Sequence, residues 1–169
     1  MPKPAEGEFP PFTQAYINLV KGDSVVEVIA NHTEELNSFY NALPEDKADY
    51  KYEAGKWTIK EVLQHVIDAE RIFAYRALRI ARKDTTPLPG FDENNYTANA
   101  NANARTLASL KDEFSIIRRS TVLLLQSFNE DQLKQKGTAS NHAVTVNAIA
   151  FILYGHLLHH KKIIEERYL

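Results

Sequence analysis

"LASLKDEFSIIRRSTVLLLQSF", from Leu107 to Phe128, carries Leu107, Leu110, Phe114, Ile117, Thr121, Leu124 and Phe128 at unbroken steps of three and four. Side chains so spaced share one face of an α-helix, so the stretch predicts an amphipathic helix of about six turns. Three other stretches repeat the pattern. Ser24 to Leu43 places Val25, Ile29, His32, Leu36, Phe39 and Leu43 on one face, with Ser24 and Glu27 spaced as a capping box and Pro44 beyond the end. "KWTIKEV" opens the next, with Thr58 as cap, Glu61 reaching back and Trp57 stapled on Val62; Ile59, Val62, Val66, Ala69 and Phe73 face inward as it runs to about Lys83. The last is capped by Thr145 and carries Ile149, Leu153, His156, His160, Ile163 and Arg167. Four amphipathic helices of similar length and no convincing strand define an all-α, four-helix bundle.

The remainder of the chain is connection. "PFTQAYINLV", ended by Gly22, reads as a helical element of an N-terminal arm, residues 1–23, packed on a single bundle domain, residues 24–169. Residues 84–103, between the second and third helices, and 129–143, between the third and fourth, form long loops, which in a compact domain are more often functional or disordered than idle. "DYKYEAGKW" is extended at most briefly.

Composition excludes several function classes. A chain of 169 residues, 44% hydrophobic and 25% charged, is an ordinary globular domain. Cysteine is absent, which removes disulfides, thiol nucleophiles and thiolate ligands. A net charge of -2 offers no electrostatic footprint for nucleic acid. With no membrane-length apolar run and no apolar leader in "MPKPAEGEFPPF", the expected location is the cytoplasm and no membrane partner is expected.

The chemistry concentrates in "YGHLLHHKKII", Tyr154 to Ile164, which holds three of the six histidines. His156 and His160 occupy the buried stripe four residues apart, a spacing that lets two imidazoles share one cation. His159 lies near the same face, so the i, i+3 pair with His156 competes on geometry. A third ligand must come from elsewhere. His65 has the best context, because "HVIDAER" sets Asp68 one turn on, able to accept its second ring proton or reach an ion. Glu70 falls in the apolar arc, where a carboxylate needs a partner, and an arginine is the expected one. His32 reads as a core residue, His142 falls in a loop, and outer-face charges such as Lys111 and Glu113 read as solvated.

"KWTIKEVLQHVIDAERIFAYRALRIARKD", "PLPGFDENNY" and "GHLLHHKKIIEERYL" together resemble the DinB/YfiT-like superfamily over nearly the whole chain. The resemblance implies a four-helix bundle holding a divalent metal through His65, His156 and His160, with His159 a neighbour and not a ligand. Zinc, nickel and iron all suit three histidines. It also implies an enzyme, with dimers common among relatives. The first expectation is a transferase in which the metal activates a low-molecular-weight thiol for attack on an electrophile. The alternative is a hydrolase using a metal-bound hydroxide, with Asp68 or Glu70 as base or second-layer support. A bundle that merely uses the ion for stability, or a binding module, stands as a non-enzymatic reading. The 84–103 loop is expected to roof the pocket, with Asp92 and Tyr96 as candidate polar contacts, although a structural role is the more expected one for either.

Overall fold

The computed structural model describes residues 1–169, and seven α-helices follow one another along it. They are α1 (Gln14–Leu19), α2 (Val25–Asn41), α3 (Ile59–Ala81), α4 (Glu93–Asn99), α5 (Leu107–Gln126), α6 (Glu130–Leu133) and α7 (Val146–Arg167). The four long ones form the bundle. α3 packs on α5 and α7, and α2 packs on α7 and α5, so α2 and α3 face each other across a diagonal. No helix is long and apolar enough to cross a membrane.

The ends of these helices are built by the expected caps. Thr58 accepts from the Glu61 amide at 3.1 Å while the Glu61 carboxylate accepts from the Thr58 amide at 2.7 Å, closing a reciprocal capping box. Ser24, Thr106 and Thr145 cap α2, α5 and α7 by accepting from the Glu27, Ser109 and Ala148 amides, without the reciprocal half of a box. Gly22, at φ 118°, turns the chain from the arm into α2. The arm itself, with α1, lies on α7.

Three expectations are corrected. First, a hairpin exists: β1 (Lys136–Ala139) pairs antiparallel with β2 (His142–Thr145). Its two-residue turn is Ser140–Asn141, both at positive φ, as the twist of a tight hairpin demands, but without the glycine that usually announces one. Second, "DYKYEAGKW" forms turns and no strand, and the 84–103 loop contains α4. Third, the buried stripe of α5 passes through Arg118 and Leu125, leaving Ile117 and Leu124 half-buried, and Ile164 replaces Ile163 inside α7.

Arg118 is in the interior because Glu70 is. Its Nη1 donates to Glu70 Oε1 at 2.8 Å, with the two side chains 0% and 2% exposed, and its guanidinium lies 4.7 Å from the ring centre of Tyr154. Burial pushes the Glu70 carboxyl up from its ordinary value, and the Arg118 charge opposes that rise. Removing one partner of such a pair strands a buried charge, at a cost of about 3–5 kcal/mol, whereas removing both is nearly neutral. Arg118→Met is therefore expected to lower unfolding stability by about that amount, with Arg118→Met/Glu70→Leu recovering most of it. Urea unfolding of the two variants checks this; a double variant no better than the single one would mean the pair is not coupled.

Candidate metal centre

His65 leaves α3 and His156 and His160 leave α7 toward one point. The Nε2 atoms of His65 and His156 lie 3.0 Å apart, and those of His160 and His156 lie 3.2 Å apart. All three rings are buried, and one nitrogen from each falls within 4.8 Å of the others. A nitrogen–cation distance of about 2.0–2.1 Å puts neighbouring ligands about 2.9 Å apart in octahedral and about 3.3 Å apart in tetrahedral geometry. The two measured separations fall between those limits. Two of the three separations therefore suit a divalent cation, the third is bounded at 4.8 Å, and three imidazole nitrogens suit such an ion in chemistry.

The electrostatics agree. Burial lowers His65 from 6.5 to about 4. His156 is driven well below its ordinary value by burial and then by His160 and His65, and His160 by burial and then by His65. Three neutral imidazoles at neutral pH are three lone-pair donors.

His159 sits differently. It lines the adjoining cavity, packs edge-on against Tyr16 at 5.3 Å, and stands outside the cluster of converging nitrogens. Asp68 accepts from Gln64 at 3.0 Å, and Glu70 is held by Arg118. Neither carboxylate is bonded to a histidine ring or lines the cavity, because α3 turns each away from the His65 face. His32 accepts from the Lys21 amide at 2.9 Å and packs on Tyr154. It is a core residue that ties the arm to α2. His142 lies on the exposed hairpin edge.

The cavity beside the cluster has a volume of about 540 Å³. Phe12, Tyr16, Trp57, Phe73 and Phe91 form its aromatic walls, and its charged groups besides the histidines are Arg76 and Glu93. Residues 84–103 do cover it, through Gly90, Phe91 and Glu93. Asp92 has the structural role, capping α4 by accepting from the Asn95 amide at 2.7 Å, and Tyr96 lies in a separate shallow groove. Arg76 and Tyr16 escaped the sequence reading. A signal for Arg76 was present: it lies eleven residues after His65, three helical turns along nearly the same face. Nothing comparable marked Tyr16, which arrives from the arm.

A bundle with three converging imidazoles beside an aromatic cavity defines a class, and comparison with known proteins identifies it. The pattern describing the DinB superfamily matches residues 29–164, and the chain belongs to that superfamily. A relative from Oceanobacillus iheyensis, provisionally named a metal-dependent hydrolase, is 28% identical over 108 residues; the match spans 63% of this chain and 61% of that protein. YfiT from Bacillus subtilis, described as a probable metal-dependent hydrolase with an unusual four-helix bundle topology, shares the fold at a TM-score of 0.71 and 17% identity, over 97% of this chain and 90% of YfiT. The DinB-like protein YjoA from Bacillus subtilis follows at a TM-score of 0.59 and 20% identity, over 84% of this chain and 87% of YjoA.

A cation bound here joins α3 to α7, so it should raise stability as any ligand specific for the fold does. In the metal-free protein the unfolded chain binds more protons than the fold between about pH 4 and pH 6.5, the two values for His65. Stability must therefore fall as pH drops through that window. With metal present, protons compete with the cation over the same range. The expected outcome is a melting midpoint at pH 7.5 that chelator lowers by several degrees, with the gap closing toward pH 5. His65→Ala and His160→Ala should abolish the gap and the bound metal, and His159→Ala should keep both. Metal analysis alongside the melts decides it; retention by His160→Ala with loss in His159→Ala would reverse the ligand assignment.

Proposed function

We propose that the protein is a metal-dependent hydrolase, with His65, His156 and His160 as metal ligands. The observation that carries this reading is the convergence of three buried, neutral imidazoles on the wall of an aromatic cavity large enough for a small organic substrate. The relatives from Oceanobacillus iheyensis and Bacillus subtilis, described as hydrolases, lend support. Those descriptions favour hydrolysis over the thiol transfer first expected, and nothing in them points to a thiol.

A divalent ion on three neutral nitrogens supplies a Lewis acid that polarises a carbonyl and acidifies water. The chain's own residues supply the rest. Glu93, exposed at the start of α4, is the cavity's carboxylate and takes the role of proton acceptor in place of Asp68 and Glu70. Its charge reaches both His65 and Tyr16. Burial and then Glu93 push the Tyr16 phenol above its ordinary value, so it stays a neutral hydrogen-bond donor beside His156. Trp57 and Phe73 pack against His65 and His156, at 5.0 and 5.7 Å between ring centres, and limit water at the cluster.

The test is a panel of chromogenic esters and amides on protein reconstituted with zinc, nickel or iron, with and without a small thiol. Thiol-independent cleavage, lost on chelation and in His156→Ala, is expected. Glu93→Gln should lower kcat by about 10²–10⁴-fold while leaving metal content unchanged. Turnover that appears only with thiol would overturn the hydrolase reading in favour of the transferase.

A further inference from the structure

Arg76 is the one cationic side chain of fixed charge on the cavity wall, and it lacks the partner a buried guanidinium ordinarily has. It is 7% exposed. Its Nη2 donates to the Pro89 carbonyl at 2.7 Å and to Ser140 Oγ at 3.0 Å, and its guanidinium carbon stands 6.0 Å from the ring centre of Phe91. Those contacts hold the group in place but are neutral. No carboxylate forms an ion pair with it, although Arg79, Arg105 and Arg118 each have one. Burial alone perturbs it, lowering its pKa, with no nearby charge acting in either direction. A guanidinium has five N–H donors, and Nη2 accounts for two, so Nε and both Nη1 hydrogens have no acceptor within the protein. Unlike Nε and Nη2 of Arg118, these donors are not shut in by protein, so they are free to meet a group that enters the cavity.

The position says what that group is. His65, Ala69, Phe73 and Arg76 follow one another along one side of α3, and all four line the cavity. At about 1.5 Å per residue, the Cα atoms of His65 and Arg76 are about 16 Å apart, with apolar Ala69 and Phe73 between them. The cavity thus has a metal-ligand cluster toward one end, an aromatic floor, and an unpaired cation toward the other. We propose that Arg76 is an anion subsite, and that the molecule this cavity takes is elongated, apolar in its middle and terminated by a carboxylate or phosphate that pairs with Arg76. That this molecule is a substrate cleaved at the histidine end rests on the hydrolase reading; the anion subsite itself does not.

The test is therefore a binding measurement and needs no turnover. Trp57 is the only tryptophan of the chain and lines the cavity, so its fluorescence reports entry. Decanoate, monodecyl phosphate and decanol are titrated into chelator-treated protein, so that the acids cannot be drawn to a cation, and then into zinc-loaded protein. In both forms at least one of the two anions should bind tenfold or more tighter than decanol, and the better of the two identifies the head group. Arg76→Gln should remove that preference while leaving decanol affinity within twofold. Arg76→Lys, which keeps the charge, should retain part of it. Equal affinity of wild-type protein for both anions and the alcohol would overturn the proposal whether or not the variants fold. So would an Arg76→Gln protein, folded by circular dichroism, that still prefers the anion. A positive binding result with no cleavage of any ester would sink the hydrolase reading and leave the subsite standing.

Discussion

From Val146 to Leu157, every residue of α7 is buried, so this helix has no face to give to water for its first three turns. A helix apolar on all sides must be enclosed on all sides. α2 and α3 cover two flanks, and the N-terminal arm covers another through α1. The closeness of that cover is set by Gly155: a Cβ there would overlap the Tyr16 carbonyl. The arm is thereby fixed as part of the domain, and with it the placing of Tyr16 against His156 and His159 at 5.7 and 5.3 Å between ring centres. One glycine, required by backbone approach and not by backbone conformation, decides both the fit of the arm and one wall of the cavity.

Polar groups inside such a bundle must each have a reason to be there. Two clusters of ionisable groups stand out among them, and they differ in kind. Arg118 and Glu70 pair with one another between α3 and α5 through one hydrogen bond, and Tyr154 faces the guanidinium. Glu70 Oε2 and Arg118 Nε and Nη2 have no hydrogen-bond partner, so charge pairing and not full hydrogen bonding holds this set. The three histidines meet through Nε2 at 3.0 and 3.2 Å, and as neutral imidazoles they have few protons to share among those contacts. One nitrogen from each lies within 4.8 Å of the others, an arrangement that a cation could use.

Much of this was legible because helical periodicity and histidine spacing are strong local signals. The i, i+4 step from His156 to His160 put both rings on the inner face, and His65 stood out by its neighbours. The errors have particular causes. In α5 the stripe passes equally well through Ile117 or Arg118 by spacing, and hydrophobicity argued for Ile117. Burial chose Arg118 because Glu70 waits across the interface, a long-range pairing that no local pattern contains. The hairpin was hidden by a turn made from Ser140 and Asn141, where left-handed backbone in two non-glycine residues is tolerated through pairing of the flanking strands. Asp92 and Tyr96 were marked only by their position in a long loop, and the structural role expected to be the commoner one is the role Asp92 has. The cavity is instead reached by their neighbours Phe91 and Glu93, since capping of α4 by Asp92 turns its own side chain back to the Asn95 amide.

α3 links these observations. One of its sides carries Gln64 and Asp68, hydrogen-bonded to each other; another carries Glu70 into the interface with α5; a third carries His65, Ala69, Phe73 and Arg76 along the cavity. Rotation of this helix by a single residue, about 100°, would break the Glu70 pair and withdraw the histidine and the arginine together. Arg118 meets Glu70 in one rotational setting of α3. That setting is the one in which an imidazole and an unpaired guanidinium face the same cavity from opposite ends.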